Sequence, residues 1–286
     1  MDIGLISLIA ITFCASIING GLGYGFSSTT VPVALLFYTN RILNPVLVPI
    51  EVLINIYVLV LNRKAIPSVW KRVRTIFIGV APGVLIGSYL ISSIHPGWTK
   101  FFTYTILLPL IVIQAAGIRR PIQREKIWGI PFGAGVGFLY SVTTVSGPPL
   151  AVMFNNQGFV KNEFRAALGI IRFGLASLTT TLYYLFGLYS ISGLQLFGSI
   201  MPGVLIGIPL GSYLIHRLDP ETFRRICMSF DAWVIGFGLS HVLIELKLVA
   251  SPYAYILLIL VLLIDGFLLY TYFTKRRVVL VKSRSV

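Results

Sequence analysis

The sequence predicts an all-α polytopic membrane protein made of two inverted repeats, with one extra C-terminal helix after them. Each repeat is a broken or re-entrant helical hairpin plus three transmembrane helices. Three observations lead there. Only 11% of the 286 residues are charged while 56% are hydrophobic, against about 25% charged in a soluble domain. Such a chain cannot cover a water-facing surface. Its apolar runs approach the roughly 20 residues that a helix needs to cross the hydrocarbon core. A pattern in the first half also returns, collinear, in the second.

Seven runs read as plain crossings: 45–61, 75–94, 99–117, 165–187, 193–215, 224–244 and 252–273. Regions 3–37 and 128–155 are as apolar but are interrupted midway by small and hydroxyl residues. The first interruption runs from Gly20 through Gly21, Gly23, Tyr24, Gly25, Ser27, Ser28, Thr29 and Thr30 to Pro32. The second runs from Gly137 through Tyr140, Ser141, Thr143, Thr144, Ser146 and Gly147 to Pro148 and Pro149. Gly and Pro punctuate helices, so each region is expected to fold as two helical arms around a break.

The repeat is visible in two matches. The stretch from Pro32 to Phe37 lines up with Pro149 to Phe154, an offset of 117. Pro82-Gly83-Val84-Leu85-Ile86-Gly87 recurs unchanged from Pro202 to Gly207, an offset of 120. Gly87 to Ile91 is echoed at Gly211 to Ile215 after a four-residue insertion. One match arises easily in apolar sequence; two collinear ones do not. The expected division is a first repeat over 1–118, a second over 127–246, an extra helix over 252–273 and a basic tail over 274–286.

Lys and Arg placement gives orientation, because cytoplasmic loops are enriched in both. Loop 62–74 holds Arg63, Lys64, Lys71, Arg72 and Arg74, and loop 118–127 holds Arg119, Arg120, Arg124 and Lys126. The tail and the cluster Arg217, Arg224 and Arg225 join them, whereas the loops near 95–98, 188–192 and 246–251 carry one Lys between them. The protein is therefore expected in the plasma membrane with its N-terminus outside and its C-terminus cytoplasmic. These assignments agree only if region 128–155 enters and leaves on the cytoplasmic side. Region 3–37 then dips in from the outside, and the two repeats are inverted, a recurring plan of secondary transporters.

The net charge of +14 is explained by those loops, so nucleic acid is not an expected partner. Cys14 and Cys227 lie in apolar runs with no metal-spaced neighbour, and His95, His216 and His241 form no cluster. No metal or cofactor is expected. The N-terminal Met1-Asp2 lacks a signal peptide's basic region and is expected to belong to the mature chain. Phosphate-binding glycine loops are absent, which leaves an ion or proton gradient as the energy source.

At the paired breaks the chain resembles the sulfite exporter TauE/SafE family of membrane anion transporters. The resemblance rests on Gly23-Tyr24-Gly25 before Pro32, on Ser146-Gly147-Pro148-Pro149, and on Phe164-Arg165-Ala166-Ala167 shortly after the second break. It departs from the usual glycine run where Phe26-Ser27 follows Gly25 and where Ser146 precedes Gly147. The resemblance covers most of the chain as two halves of four segments. It implies movement of sulfite, sulfonates or related oxyanions and carboxylates.

An anion in mid-membrane must exchange water for hydrogen-bond donors, and helix N-termini supply N–H groups with partial positive charge. Two breaks meeting tip to tip predict a substrate site made by Gly25, Ser27, Ser28, Thr29 and Thr30 with Thr143, Thr144, Ser146 and Gly147. Arg172, an intramembrane cation, is expected to grip the oxyanion. Glu51, with Asn55 one turn along, is expected to handle the coupling proton. The plainer alternatives are that the small residues only allow close helix packing and that Glu51 and Arg172 form a structural ion pair. Tyr24 and Tyr140 flank the breaks and are candidates to line a pathway. Arg165 is expected to snorkel to the interface, Asp265 ranks low as a site residue, and Asp231 is open.

The expected function is secondary transport of small oxyanions by alternating access, without enzymatic chemistry. Expected partners are a small anion, membrane lipids, a coupling ion or proton, and a second copy of the chain in a homo-oligomer. The rivals are an intramembrane enzyme acting on a lipid phosphate and a passive anion channel. The first wants a His or acid beside a phosphate cradle, which neither break offers. A cation carrier would want clustered ligands in the spans, and the sequence offers few.

Overall fold

The computed structural model describes residues 3–116, 125–155, 159, 161–214 and 220–284, and every regular element among them is helical. In order these are α1 (Ile3–Leu22), α2 (Phe26–Ala34), α3 (Asn40–Leu61), a 3₁₀ turn (Arg63–Ala65), α4 (Ile66–Ser93) and α5 (Pro96–Ala115). There follow α6 (Glu125–Thr143), α7 (Gly147–Asn155), α8 (Lys161–Leu185), α9 (Ile191–Leu214), α10 (Pro220–Glu245) and α11 (Tyr255–Arg284). Among the described residues eight helices are long and apolar enough to cross a membrane. The protein is a multi-pass all-α membrane protein.

Both interrupted regions fold as a long arm and a short one. α1 has 20 residues and α2 nine, and α6 has 19 and α7 nine. The short arm α2 packs back along α1, and a Cβ on Gly25 would meet Ile18 at 2.8 Å. The break between them turns on Gly23 and Gly25, at φ 84° and 112°, conformations that glycine adopts without a Cβ clash.

Elements of the second half follow their counterparts by 121 residues: Leu22 and Thr143 end the long arms, Phe26 and Gly147 open the short ones, and Asn40 and Lys161 open α3 and α8. This corrects the offset of 117 read from the two proline stretches. A slip of four residues is close to one helical turn, so the apolar face looks the same in either register.

Packing is reciprocal between the halves. α4 lies along α6, and α9, its counterpart, lies along α1. The recurring motif makes this possible by bringing backbones together. A Cβ on Gly87 would stand 2.0 Å from Ser141 Oγ, and one on the equivalent Gly207 1.8 Å from Ser16 Oγ.

The helices outrun the apolar spans. α4 begins at Ile66 with Pro67 in its first turn, where the missing N–H costs nothing. Lys71, Arg72 and Arg74 therefore stand on a helix and not in a loop. Hydropathy marks where the hydrocarbon ends, while the backbone hydrogen bonds continue past it. The expected basic loop at Arg119, Arg120 and Arg124, and His216 and Arg217, lie outside the described residues, as do the side chains of Lys126 and of the basic tail.

Candidate functional site

Glu51 is the twelfth residue of α3 and Arg172 the twelfth of α8, so the two intramembrane charges occupy equivalent positions. They meet. Arg172 Nη2 lies 2.9 Å from Glu51 Oε1, with both side chains at most 2% exposed. A lone charge at this depth is costly, and each supplies the other's counter-charge. Both alternatives weighed from the sequence are thus half-answered: the pair exists, and it sits at the breaks.

Each long arm ends inside the protein, where its last carbonyls have no water to bond. Side chains from other helices serve them. Arg172 Nη1 donates to Gly23 O at 3.3 Å and to Asn19 Oδ1 at 3.2 Å. Arg165 donates to Gly21 O and Ser212 to Gly20 O. At the second break Asn44 donates to Val142 O at 2.7 Å and Tyr183 to Ser141 O. The bonds mirror one another, because Asn44 and Arg165 are counterparts, as are Gly21 and Val142. Arg165 is half-buried and caps α1; the expected snorkelling to the interface does not describe it.

Glu51 is fully served. Besides the guanidinium it accepts from Ser27 Oγ on Oε1 and from Tyr140 Oη on Oε2 at 2.8 Å. It thus joins the two breaks, since Ser27 belongs to the first and Tyr140 to the second. The breaks also touch directly: a Cβ on Gly147 would meet the Tyr24 ring at 3.3 Å. Asn55 donates to the backbone carbonyl of Glu51 at 2.7 Å and leaves the carboxylate alone.

The remaining candidates divide into three groups. Gly25 caps α2 with no side-chain bond, so α2 opens with the amides of Phe26, Ser27 and Ser28 free of a side-chain cap. Thr143 and Thr144 spend their hydroxyls on nearby carbonyls, Leu139 O and Thr143 O. Ser28 donates to Gly25 O at 3.2 Å, and Thr29 faces away to Asp231 Oδ2 at 3.3 Å. Several buried polar atoms have no partner at all, among them Arg172 Nε, Asn19 Nδ2, Thr30 Oγ1 and Ser146 Oγ.

A cavity of about 10 Å³ reaches this cluster, lined by Asn19, Gly23, Arg165, Asn62 and Ser212. That is room for roughly one water. Asn62 also lines a wider hollow of about 730 Å³ beside Arg63, Lys64, Ser68 and Glu163. Asn62, at the basic end of α3, thus borders both spaces.

The model of the family described as Sulfite exporter TauE/SafE matches residues 8–239, a stretch holding both breaks, Glu51 and Arg172. The chain belongs to the TauE/SafE family. It is 26% identical over 180 residues to the "Probable inner membrane transporter protein TsaS" of Comamonas testosteroni, covering 60% of this chain and 71% of that protein. No solved structure matches it. A TauE/SafE chain is a membrane transporter and not an enzyme, and its break residues are to be read in that light.

Sequence reasoning missed Asn19 and Asn44 as partners of the breaks, and it left Tyr140 as no more than a pathway candidate. Each is a polar side chain in an apolar helix, within four residues of a break or on the helix that faces one. That signal was present for all three.

Proposed function

We propose that this transporter moves small oxyanions (sulfite, organosulfonates, or related sulfur and carboxylate anions) across the membrane by alternating access, driven by a proton or ion gradient. The observation that carries the reading is the buried Arg172, paired to a carboxylate that itself resembles the substrate, with unused donors beside it. Glu51 holds the place of an anion. An arriving oxyanion takes over the Arg172 guanidinium, whose planar fork suits two oxygens at once. Arg172 Nε, Asn19 Nδ2 and the open amides of α2 add donors, and the α2 N-terminus adds partial positive charge.

The reciprocal packing of the halves supports the reading of two inverted repeats, and the Lys and Arg of loop 62–74 support a topology with that end in the cytoplasm and the N-terminus outside. In that frame the small cavity from Asn62 to Gly23 is the inner vestibule. Rocking of one repeat against the other would close it and open the far side.

The test is anion-dependent melting of the purified protein, because a ligand that binds only the folded state raises the melting point. Sulfite, sulfoacetate, taurine, thiosulfate, acetate and chloride are compared on wild type and Arg172→Gln. Stabilisation by an oxyanion in wild type, lost in the variant, is the expected result. Stabilisation only by a divalent cation or a lipid phosphate would remove anion transport from consideration.

A further inference from the structure

Asp231 of α10 is a second buried carboxyl outside the Glu51–Arg172 cluster, 2% exposed. Its surroundings are unlike those of Glu51. Thr29 Oγ1 donates to Oδ2 at 3.3 Å, the Ser28 hydroxyl faces the same carboxyl, and Oδ1 has no partner. No cation is bonded to it among the described residues, whereas Glu51 has Arg172. The elements packed on α10 bring Lys100 and Tyr104 from α5, Cys14 from α1, and Asp265 with several tyrosines from α11. Asp265 is spent on Ser229 and Trp233, and Tyr104 on the Pro32 carbonyl. Cys227 lies one turn back on α10.

A charged carboxylate met only by hydroxyls, with no counter-ion, is expensive in the membrane interior, and a proton removes the charge. The place of the group gives that proton a use. Thr29 and Ser27 are two residues apart on α2, so they leave the helix about 200° apart. One face of this nine-residue arm is tied to Glu51 through Ser27, and the other to Asp231 through Thr29. A change at Asp231 therefore reaches the substrate cluster through a single short rigid element.

The geometry points to Asp231 as the site of the coupling proton, carried in the same direction as the anion, with α2 linking its occupancy to the Glu51–Arg172 pair. This rests on the anion-transport reading above and assigns its energy source. Asp231 binds one proton while α2 is in the position seen here and releases it when Thr29 moves away.

The test uses proteoliposomes loaded for [³⁵S]sulfoacetate uptake, in two modes: uptake driven by an imposed pH gradient, and counterflow against preloaded sulfoacetate. Asp231→Asn keeps counterflow near wild type and loses accumulation under the pH gradient, while Asp231→Glu restores it with a shifted pH midpoint. Gradient-driven accumulation by Asp231→Asn at the wild-type level overturns the assignment. So does loss of both modes in Asp231→Asn and Asp231→Glu with unchanged melting points. Infrared difference spectra between two pH values read the carboxyl without any substrate: a protonated C=O band in wild type is absent from Asp231→Asn. If that band titrates but wild type carries no anion, the substrate reading fails and the proton site stands. A spectrum identical in wild type and variant sinks the proton site, whatever is carried.

Discussion

The two breaks are copies by position and differ in chemistry. At the first, Gly25 caps α2 and leaves the amides of Phe26, Ser27 and Ser28 available, and Arg172 reaches in from the other half. At the second, Ser146 takes the capping place of Gly25, and two of the next three residues are Pro148 and Pro149, which have no N–H to offer. The counterpart of Arg172 there is Glu51, which accepts from Tyr140. The left-handed residue is also Thr144 where the first break has Gly23. The two frames are thus equal in position, and their residues make one of them donor-rich and the other its support. Anion binding should follow the first break.

The largest expected effect tests the pair that links them. Arg172→Gln leaves Glu51 buried without a counter-charge and should cost about 3–5 kcal/mol of stability, read as a large fall in melting point. Adding Glu51→Gln should recover most of that stability and none of the transport. If the double variant also transports, the pair is packing alone.

The next effect concerns the recurring motif, which is equal in sequence and unequal in space. A Cβ on Gly83 would lie 2.0 Å from Ala134 O, whereas on its counterpart Gly203 the nearest atom is 3.7 Å away. Gly83→Ala should push α4 off α6 and cost several kcal/mol, on the order of the larger overpacking penalties. Gly203→Ala should be neutral within about 0.5 kcal/mol. Melting curves of the two variants decide it, and equal losses would contradict the packing described.

Smaller still is the contrast between the caps. Gly25→Ala meets both a positive φ and Ile18, so it should cost about 1–3 kcal/mol and weaken anion binding by displacing the α2 amides. Ser146→Ala removes a hydroxyl that bonds nothing in this structure and should leave stability within about 0.5 kcal/mol. If Ser146→Ala weakens anion affinity more than Gly25→Ala, the second break is the binding side.

Much of this was legible in the sequence. Span positions followed from hydropathy, because lipid tolerates so few charges that Glu51 and Arg172 stood out at once. The breaks were visible because glycine and proline leave marks that no neighbour can erase. The register of the repeat was not, since a four-residue slip keeps a helix face intact. Nor was the pairing of these residues with the charges legible: Asn19, Ser27 and Tyr140 each stand out as polar residues at a break, but they come together from three helices, and no local pattern encodes that meeting. Asp231 was undecided for the same reason, because its meaning lies in Thr29, 202 positions away.

The central claim is that Glu51 occupies the place of the transported anion on Arg172. It is tested most directly by titrating sulfoacetate against the melting point of Glu51→Gln beside wild type. With its internal competitor made neutral, Arg172 should take the anion more tightly, and half-saturation should fall on the order of tenfold, equivalent to about 1.4 kcal/mol. Unchanged or weaker binding in Glu51→Gln would contradict the account and return Glu51 and Arg172 to a structural tie.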